Sequence, residues 1–254
     1  MNMEQCLAEL GASAELLSER QRDELRRKGY TLLPGVIDAG WLTALRERFE
    51  ELVAAEGAVA GLEVHQEDGA RRLADLVNKG SVFDGVWSHP LLLAAVHWTI
   101  AAPFHLGSLN ARDAKPGDGL QALHQDGKRD VPPPRYGCNS LWMLDDFTEE
   151  NGCTRMVPGT YTSAHPADVL DDPKAPHPDE ELITAPAGSV AVFNSYTWHG
   201  GTLNRTPGAH RRCLHCYFNP RHQEQQTDQR AYLRPDTAAR LSPAQRYLLD
   251  LEDE

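Results

Sequence analysis

The spacing of apolar and polar positions divides the chain into a helical first part and a β-rich second part. Ser18 followed by Gln21 is a capping-box signature, and the helix it opens is expected to end near Gly29. "YTLLPGVI" reads as a short strand. Asp38 then caps a second helix, in which Trp41, Leu45, Phe49 and Leu52 recur at helical spacing and face a core. A third helix is expected from about Pro90 to Ala101, with Pro90 suited to its first turn. From Phe104 the periodicity shortens. Six β-type runs follow, punctuated by Gly, Pro and Asn: "FHLGSLNAR", "LQALHQD", "CNSLWMLDD", "CTRMVPG", "SVAVFNSY" and "RRCLHCYFN". Short strands at this density predict an all-β sandwich or barrel that carries the N-terminal helices. Residues 165–181 are rich in Pro, Asp and His and are expected as a long surface loop, of the kind that can serve as a lid. Ser242 and Pro243 open a last short helix, leaving the acidic tail "DLEDE" exposed.

With 254 residues the chain is expected to form one domain. Its helical part covers about 1–102, its β core about 103–220, and its C-terminal extension 221–254. The formal charge of −12 argues against nucleic acid or an anionic membrane as the main partner, while leaving room for a small anion held by a local Arg or Lys. "MNMEQCLAEL" lacks the basic start and apolar run of a signal peptide, and no stretch approaches a membrane span, so a cytoplasmic location is expected. The five cysteines have no framework spacing and read as reduced thiols. "CLHC" resembles a chelating pair. Cys213 and Cys216, however, lie three apart on a strand and point to opposite faces, which makes them buried small hydrophobes.

The chemistry centres on "LHQD". His124 and Asp126 are two apart, so on a strand both side chains share one face. An imidazole and a carboxylate are two of the three ligands in the 2-His-1-carboxylate arrangement of non-haem Fe(II). His199 supplies the third, after the apolar run "SVAVF" and before a glycine pair that permits close backbone approach. The remaining nine histidines lack a comparable setting and read as structural or solvated. Three ligands on one face of an octahedral ion leave two positions for a 2-oxo acid and one for O2. The far carboxylate of such a co-substrate calls for an arginine fork. Arg211 and Arg212 open the strand after His199. Arg211 shares a face with Cys213, His215 and Tyr217, and Arg212 with Leu214, Cys216 and Phe218. Parity alone leaves the choice between them open.

"SLNARDAKPGDGLQALHQD", "NSLWMLDDFTEENGCTRMVPGTY" and "PAGSVAVFNSYTWHGGTLNRTPGAHRRCLHCYF" resemble the phytanoyl-CoA dioxygenase family, over roughly residues 20–220. "RRLADLVNKGSVFDGVW" resembles a segment upstream of the core in bacterial members. The resemblance implies a double-stranded β-helix (a jelly-roll, cupin-like core) and a dioxygenase using Fe(II), 2-oxoglutarate and O2. It implies His124, Asp126 and His199 as iron ligands. It favours Arg211, twelve residues after the distal histidine, as the 2-oxoglutarate arginine. Trp142 matches an active-site tryptophan, and Gln121 matches a glutamine that contacts the co-substrate in some members. Where many members have a serine that helps hold 2-oxoglutarate, this chain has Gly201, with Thr202 as a substitute. The acidic residue often found in the turn before the distal-histidine strand is Ser189 here. Related halogenases carry a small residue at the position of Asp126, so its presence implies hydroxylation rather than halogenation. The substrate is expected to be a small molecule or natural-product intermediate, because a CoA ester calls for a basic entrance. Asn78, Lys79, Asn110, Arg112 and the 165–181 loop are candidate substrate contacts. Two other readings are a cupin-like metalloenzyme that does not use 2-oxoglutarate, and a catalytically silent binding module on the same fold.

Overall fold

Two antiparallel sheets form the β-rich half, and they draw strands from both halves of the chain. A computed structural model describes residues 1–129 and 136–251. Its strands are β1 (Tyr30–Leu33), β2 (Ala70–Leu73), β3 (Phe104–Ala114), β4 (Cys138–Met143), β5 (Thr154–Val157), β6 (Glu181–Ile183), β7 (Val190–Asn194), β8 (Trp198–Gly201) and β9 (Arg212–Pro220). The larger sheet runs β1-β7-β4-β9-β3-β2 and the smaller β6-β5-β8. The helices are α1 (Met3–Glu9), α2 (Glu19–Arg27), α3 (Ala39–Glu56), α4 (Asp84–Ser88), α5 (Pro90–Ile100), α6 (Pro166–Val169), α7 (Gln229–Tyr232), α8 (Pro235–Arg240) and α9 (Pro243–Leu248).

Alternation along each strand sorts side chains between two cores. One face of the large sheet, carrying Trp142, Val190, Val192, Leu214, Cys216 and Phe218, packs on helical residues that include Leu45, Phe49 and Leu93. The opposite face, carrying Leu141, Met143, Ala191, Phe193 and Cys213, packs on Met156 of β5 and Ile183 of β6. The cavity described below opens beside this second core. Cys213 and Cys216 thus lie in different cores, as expected for two residues three apart, and all five cysteines are buried thiols outside any disulfide.

The expected helices are present with their caps. Ser18 and Gln21 bond reciprocally at the start of α2, Asp38 accepts from the Trp41 amide, and Ser242 and Gln245 close a capping box on α9. Several elements were not expected. Asn2 and Gln5 form a capping box on α1, and α4, β2, α7 and α8 arise where no clear pattern stands. "LQALHQD" is not a strand. Its amides bond β8 and its neighbourhood at irregular intervals: Gln121 N–H to Gly201 O, His124 N–H to His199 O and Asp126 N–H to Ser195 O, while Leu123 N–H turns away to Pro173 O. Only the His124–His199 bridge remains of the ladder. The 165–181 stretch holds α6, and its second half is pinned from beneath. Buried Arg155 donates to the carbonyls of Pro173, Lys174 and Ala175 at 2.7–3.2 Å. In the acidic tail, Asp250 is held by Arg221, and residues 252–254 lie outside the described residues. Among the described residues no helix is long and apolar enough to cross a membrane.

Candidate metal centre

β8 and the segment beside it bring His124, Asp126 and His199 together. Their ligand atoms all lie within 4.8 Å of one another. His199 Nε2 stands 3.1 Å from Asp126 Oδ2, and His124 Nε2 stands 3.6 Å from Asp126 Oδ1. The approach is possible because glycine follows the distal histidine. A Cβ on Gly200 would meet the Ala122 and Gln121 carbonyls at 3.0 and 3.1 Å. The glycine after Asp126 has a similar cause, since a side chain at Gly127 would run into the Tyr196 ring.

Both imidazoles are oriented by the backbone two residues before them. His124 Nδ1–H donates to Ala122 O and His199 Nδ1–H to Thr197 O, each at 2.9 Å. This uses Nδ1 of both rings as a donor and turns both Nε2 atoms toward the carboxylate. Burial, followed by the facing His199, pushes His124 down to about 4, so its lone pair is free at neutral pH. Burial would raise the Asp126 carboxyl, but His199, His124 and the Asn139 amide outweigh it and hold it below the usual carboxylate range. Burial lowers His199, and Asp126 more than offsets this. Two neutral-capable imidazoles and one ionised carboxylate suit a divalent ion such as Fe(II). Asn139 on β4 donates from Nδ2 to Asp126 Oδ2 at 2.7 Å. Asn139→Ala is expected to weaken Fe(II) binding roughly 10- to 100-fold without unfolding the protein, measured by anaerobic metal titration. Unchanged affinity would show that Asn139 does not support the carboxylate.

The group opens on a cavity of about 530 Å³. The large sheet supplies its wall, and cross-strand register sets the wall's chemistry. Ser108 and Asn139 both lie opposite Tyr217, Asn110 and Leu141 opposite His215, and Arg112 opposite Cys213. Of Arg211, which precedes β9, and Arg212, which opens it, Arg211 faces the cavity with His215 and Tyr217. Arg212 faces out, bonded to Asp145 and Glu50. Arg211 is fully buried, with Nε donating to Gly152 O at 2.6 Å and Nη1 to Cys213 Sγ at 3.2 Å. Gln121 lines the cavity, and its Oε1 accepts from Gly201 N–H at 3.0 Å.

Other expected residues lie elsewhere. Trp142 is not in the cavity: its position in β4 has the opposite parity to Asn139 and Leu141. It is buried against the helices, edge-on to Trp41 and His89, with Nε1 donating to Ser140 Oγ. Thr202 does not line the cavity either, and its hydroxyl donates to Cys153 O. Asn110 and Arg112 line it, whereas Asn78 bonds Asp75 and Lys79 pairs with Glu56 and Glu63. No residue of 165–181 lines it. Sequence reasoning missed His65, Glu67, Arg72, Asn139, His215, Tyr217 and Gln226. For those on β9 and β4, parity with Arg211 and Leu141 is the signal that finds them.

Comparison with known proteins gives the family and the fold. A family model described as phytanoyl-CoA dioxygenase matches residues 25–213. Dioxygenase trt7 of Aspergillus terreus is 29% identical over 219 residues, covering 77% of this chain and 73% of the relative. Among solved structures, the non-haem alpha ketoglutarate dependent carbocyclase SnoK from nogalamycin biosynthesis superposes with a TM-score of 0.66 at 21% identity, covering 82% of this chain and 86% of that one. HygX from Streptomyces hygroscopicus, solved with nickel, 2-oxoglutarate and hygromycin B, superposes with a TM-score of 0.65 at 18% identity, covering 82% and 90%.

Proposed function

Because this chain belongs to the phytanoyl-CoA dioxygenase family, and is a dioxygenase working with Fe(II), 2-oxoglutarate and O2, we propose that His124, Asp126 and His199 are its iron ligands and that Arg211 receives the far carboxylate of 2-oxoglutarate. The observation that carries this is the pair of Nδ1–H bonds to Ala122 O and Thr197 O, which aim both Nε2 atoms at one carboxylate. The iron, when bound, couples oxidative decarboxylation of 2-oxoglutarate to oxidation of the substrate, releasing succinate and CO2. The protein's own contribution is positional. The two imidazoles and Asp126 would hold the ion from one side, where the group borders the cavity. Arg211 fixes the co-substrate's remote end, and Gln121 holds the Gly201 backbone beside it. Leu141 and Phe193 line the cavity with apolar groups that keep water from the reacting centre.

The finer fold reading is a double-stranded β-helix within one domain. It is supported by the core shared between β4, β7 and β9 on one side and β5 and β6 on the other. The ends of the chain belong to the same unit, since Cys6 in α1 donates to Ala244 O in α9. The reaction is hydroxylation of an unactivated C–H bond of a small natural-product intermediate. Support comes from the cavity's size and from the neutral polar side chains Ser108, Asn110, Asn139, Tyr217 and Gln226 on part of its wall. Similar proteins also have such ligands: the epimerase SnoN was solved with Fe3+, alpha ketoglutarate and nogalamycin RO, and HygX with hygromycin B. Iron-loaded protein given 2-oxoglutarate in air is expected to form succinate slowly, and faster with a true substrate, as followed by chromatography. No succinate above the metal-free control, with candidate substrates present, would contradict the assignment.

A further inference from the structure

One end of the cavity carries more positive charge than its own residues neutralise. Apart from Asp126, the described charged side chains lining it are Glu67, Arg72, Arg112 and Arg211. Glu67 takes two bonds from Arg112, at 2.9 Å from Nε and 2.6 Å from Nη2, and a longer one from Arg72 at 3.4 Å. Arg211 makes no ion pair with any described residue; its Nε and Nη1 are spent on a carbonyl and a thiol. So three guanidiniums face one carboxylate inside a protein whose overall charge is −12. Buried charge without a partner is costly, and a cluster of this kind fits an anionic ligand.

The geometry narrows where that anion sits. Arg112 is 1% exposed, and its Nη1 is buried without a hydrogen-bond partner. Its Nη2 also donates to Gly119 O at 3.0 Å, so the guanidinium plane is held from two sides with Nη1 left over. A Cβ built on Gly201 would lie 2.9 Å from Gly119 O, which already accepts from Arg112 Nη2, and 3.2 Å from both Arg112 Nη1 and Arg211 Nη2. These two nitrogens therefore converge on the same point beside Gly201, and neither has a bonding partner among the described residues. With no side chain at 201, both unspent N–H donors stay open on the cavity side of that residue.

We propose that Arg112 is a second anchor for the far carboxylate of 2-oxoglutarate, which bridges Arg112 Nη1 and Arg211 Nη2 across Gly201. The inference rests on the assignment of the iron ligands and Arg211 above. Arg112 is then a binding residue of the co-substrate, and Glu67 is its tether, taking the two donors that point away from the ligand. The missing side chain at 201 is what lets the second guanidinium reach the anion.

The test is anaerobic titration of Fe(II)-loaded protein with 2-oxoglutarate and with 2-oxopentanoate, which keeps the chelating end and replaces the far carboxylate by a methyl. The visible charge-transfer band reports binding. Arg112→Met is expected to raise the Kd for 2-oxoglutarate about 10- to 100-fold while changing that for 2-oxopentanoate by less than about threefold. Retained 2-oxopentanoate binding also shows that the variant is folded. Equal weakening of both ligands would make Arg112 a structural residue, and unchanged 2-oxoglutarate binding would remove it from the site; either overturns the proposal. If Arg112→Met does not fold, Glu67→Gln gives the reading. Relieving Arg112 of its counter-charge is expected to tighten 2-oxoglutarate at least twofold, and unchanged or weaker binding contradicts the bridge. A wild-type protein that gives no band with either 2-oxo acid fails the iron and 2-oxoglutarate assignment itself, which is a different outcome from a band that ignores Arg112.

Discussion

Asp126→Ala is expected to give a folded protein that neither retains stoichiometric Fe(II) nor forms succinate above background. Asp126 is the one carboxylate in the group, and both imidazole Nε2 atoms point at it. Its removal leaves two neutral nitrogens with no anionic ligand, so the ion loses both a bond and charge compensation. Loss of a supporting residue alone weakens metal binding about 10- to 100-fold, and loss of a ligand exceeds that. Folding is expected to survive because the Asp126 side chain is 27% exposed to the cavity and fills no core space. The two rings also keep their own backbone anchors. Circular dichroism and metal analysis of the purified variant check both halves. Substrate-coupled succinate formation at the wild-type rate would sink the ligand assignment.

Trp142→Ala is expected to have the largest effect on stability, with little on the site. The indole is fully buried between the large sheet and the helices, wedged against Trp41 and His89. Truncating a buried aromatic of this kind costs about 3–5 kcal/mol through lost burial and the cavity left behind. In a chain of this size that lowers Tm by roughly 6–20 °C. Trp142→Phe keeps most of the volume and loses mainly the Nε1–H bond to Ser140, so a smaller loss follows. In both variants the folded fraction is expected to bind Fe(II) and 2-oxoglutarate with wild-type affinity. A Trp142→Phe protein that melts normally yet loses 2-oxoglutarate affinity more than about tenfold would return the residue to the site.

These two residues also show what could be read along the chain and what could not. The His124, Asp126 and His199 group was legible because its signal is local: an i, i+2 pair, and a histidine after an apolar run with glycines behind it. The expected reason was partly wrong, since 120–126 is not a strand and the two side chains meet through an irregular pairing with β8. Arg211 could not be separated from Arg212 until one residue of β9 was placed. Once Cys213 lies in the inner core, Arg211, His215 and Tyr217 must follow it inward, and Arg212 must turn out to Asp145. Trp142 was matched to the site only through the family resemblance; in β4 Asn139 and Leu141 hold the cavity side, and Trp142 packs on the helices. Arg112 was named as a substrate contact, but its tie to Glu67 and its approach to Gly201 join segments far apart in sequence. Spacing carries no information about such contacts. Asn78 and Lys79 fell out for a related reason, as their acidic partners were not visible from their own neighbourhood.

The most direct measurement is an anaerobic titration of the metal-free protein with Fe(II) and then 2-oxoglutarate, followed in the visible range. The expected result is one Fe(II) per chain. The charge-transfer band of a chelated 2-oxo acid should then appear, absent in Asp126→Ala and strongly weakened in Arg211→Met. Iron that binds without the band, or a band that survives loss of Asp126, would contradict the assignment of this site.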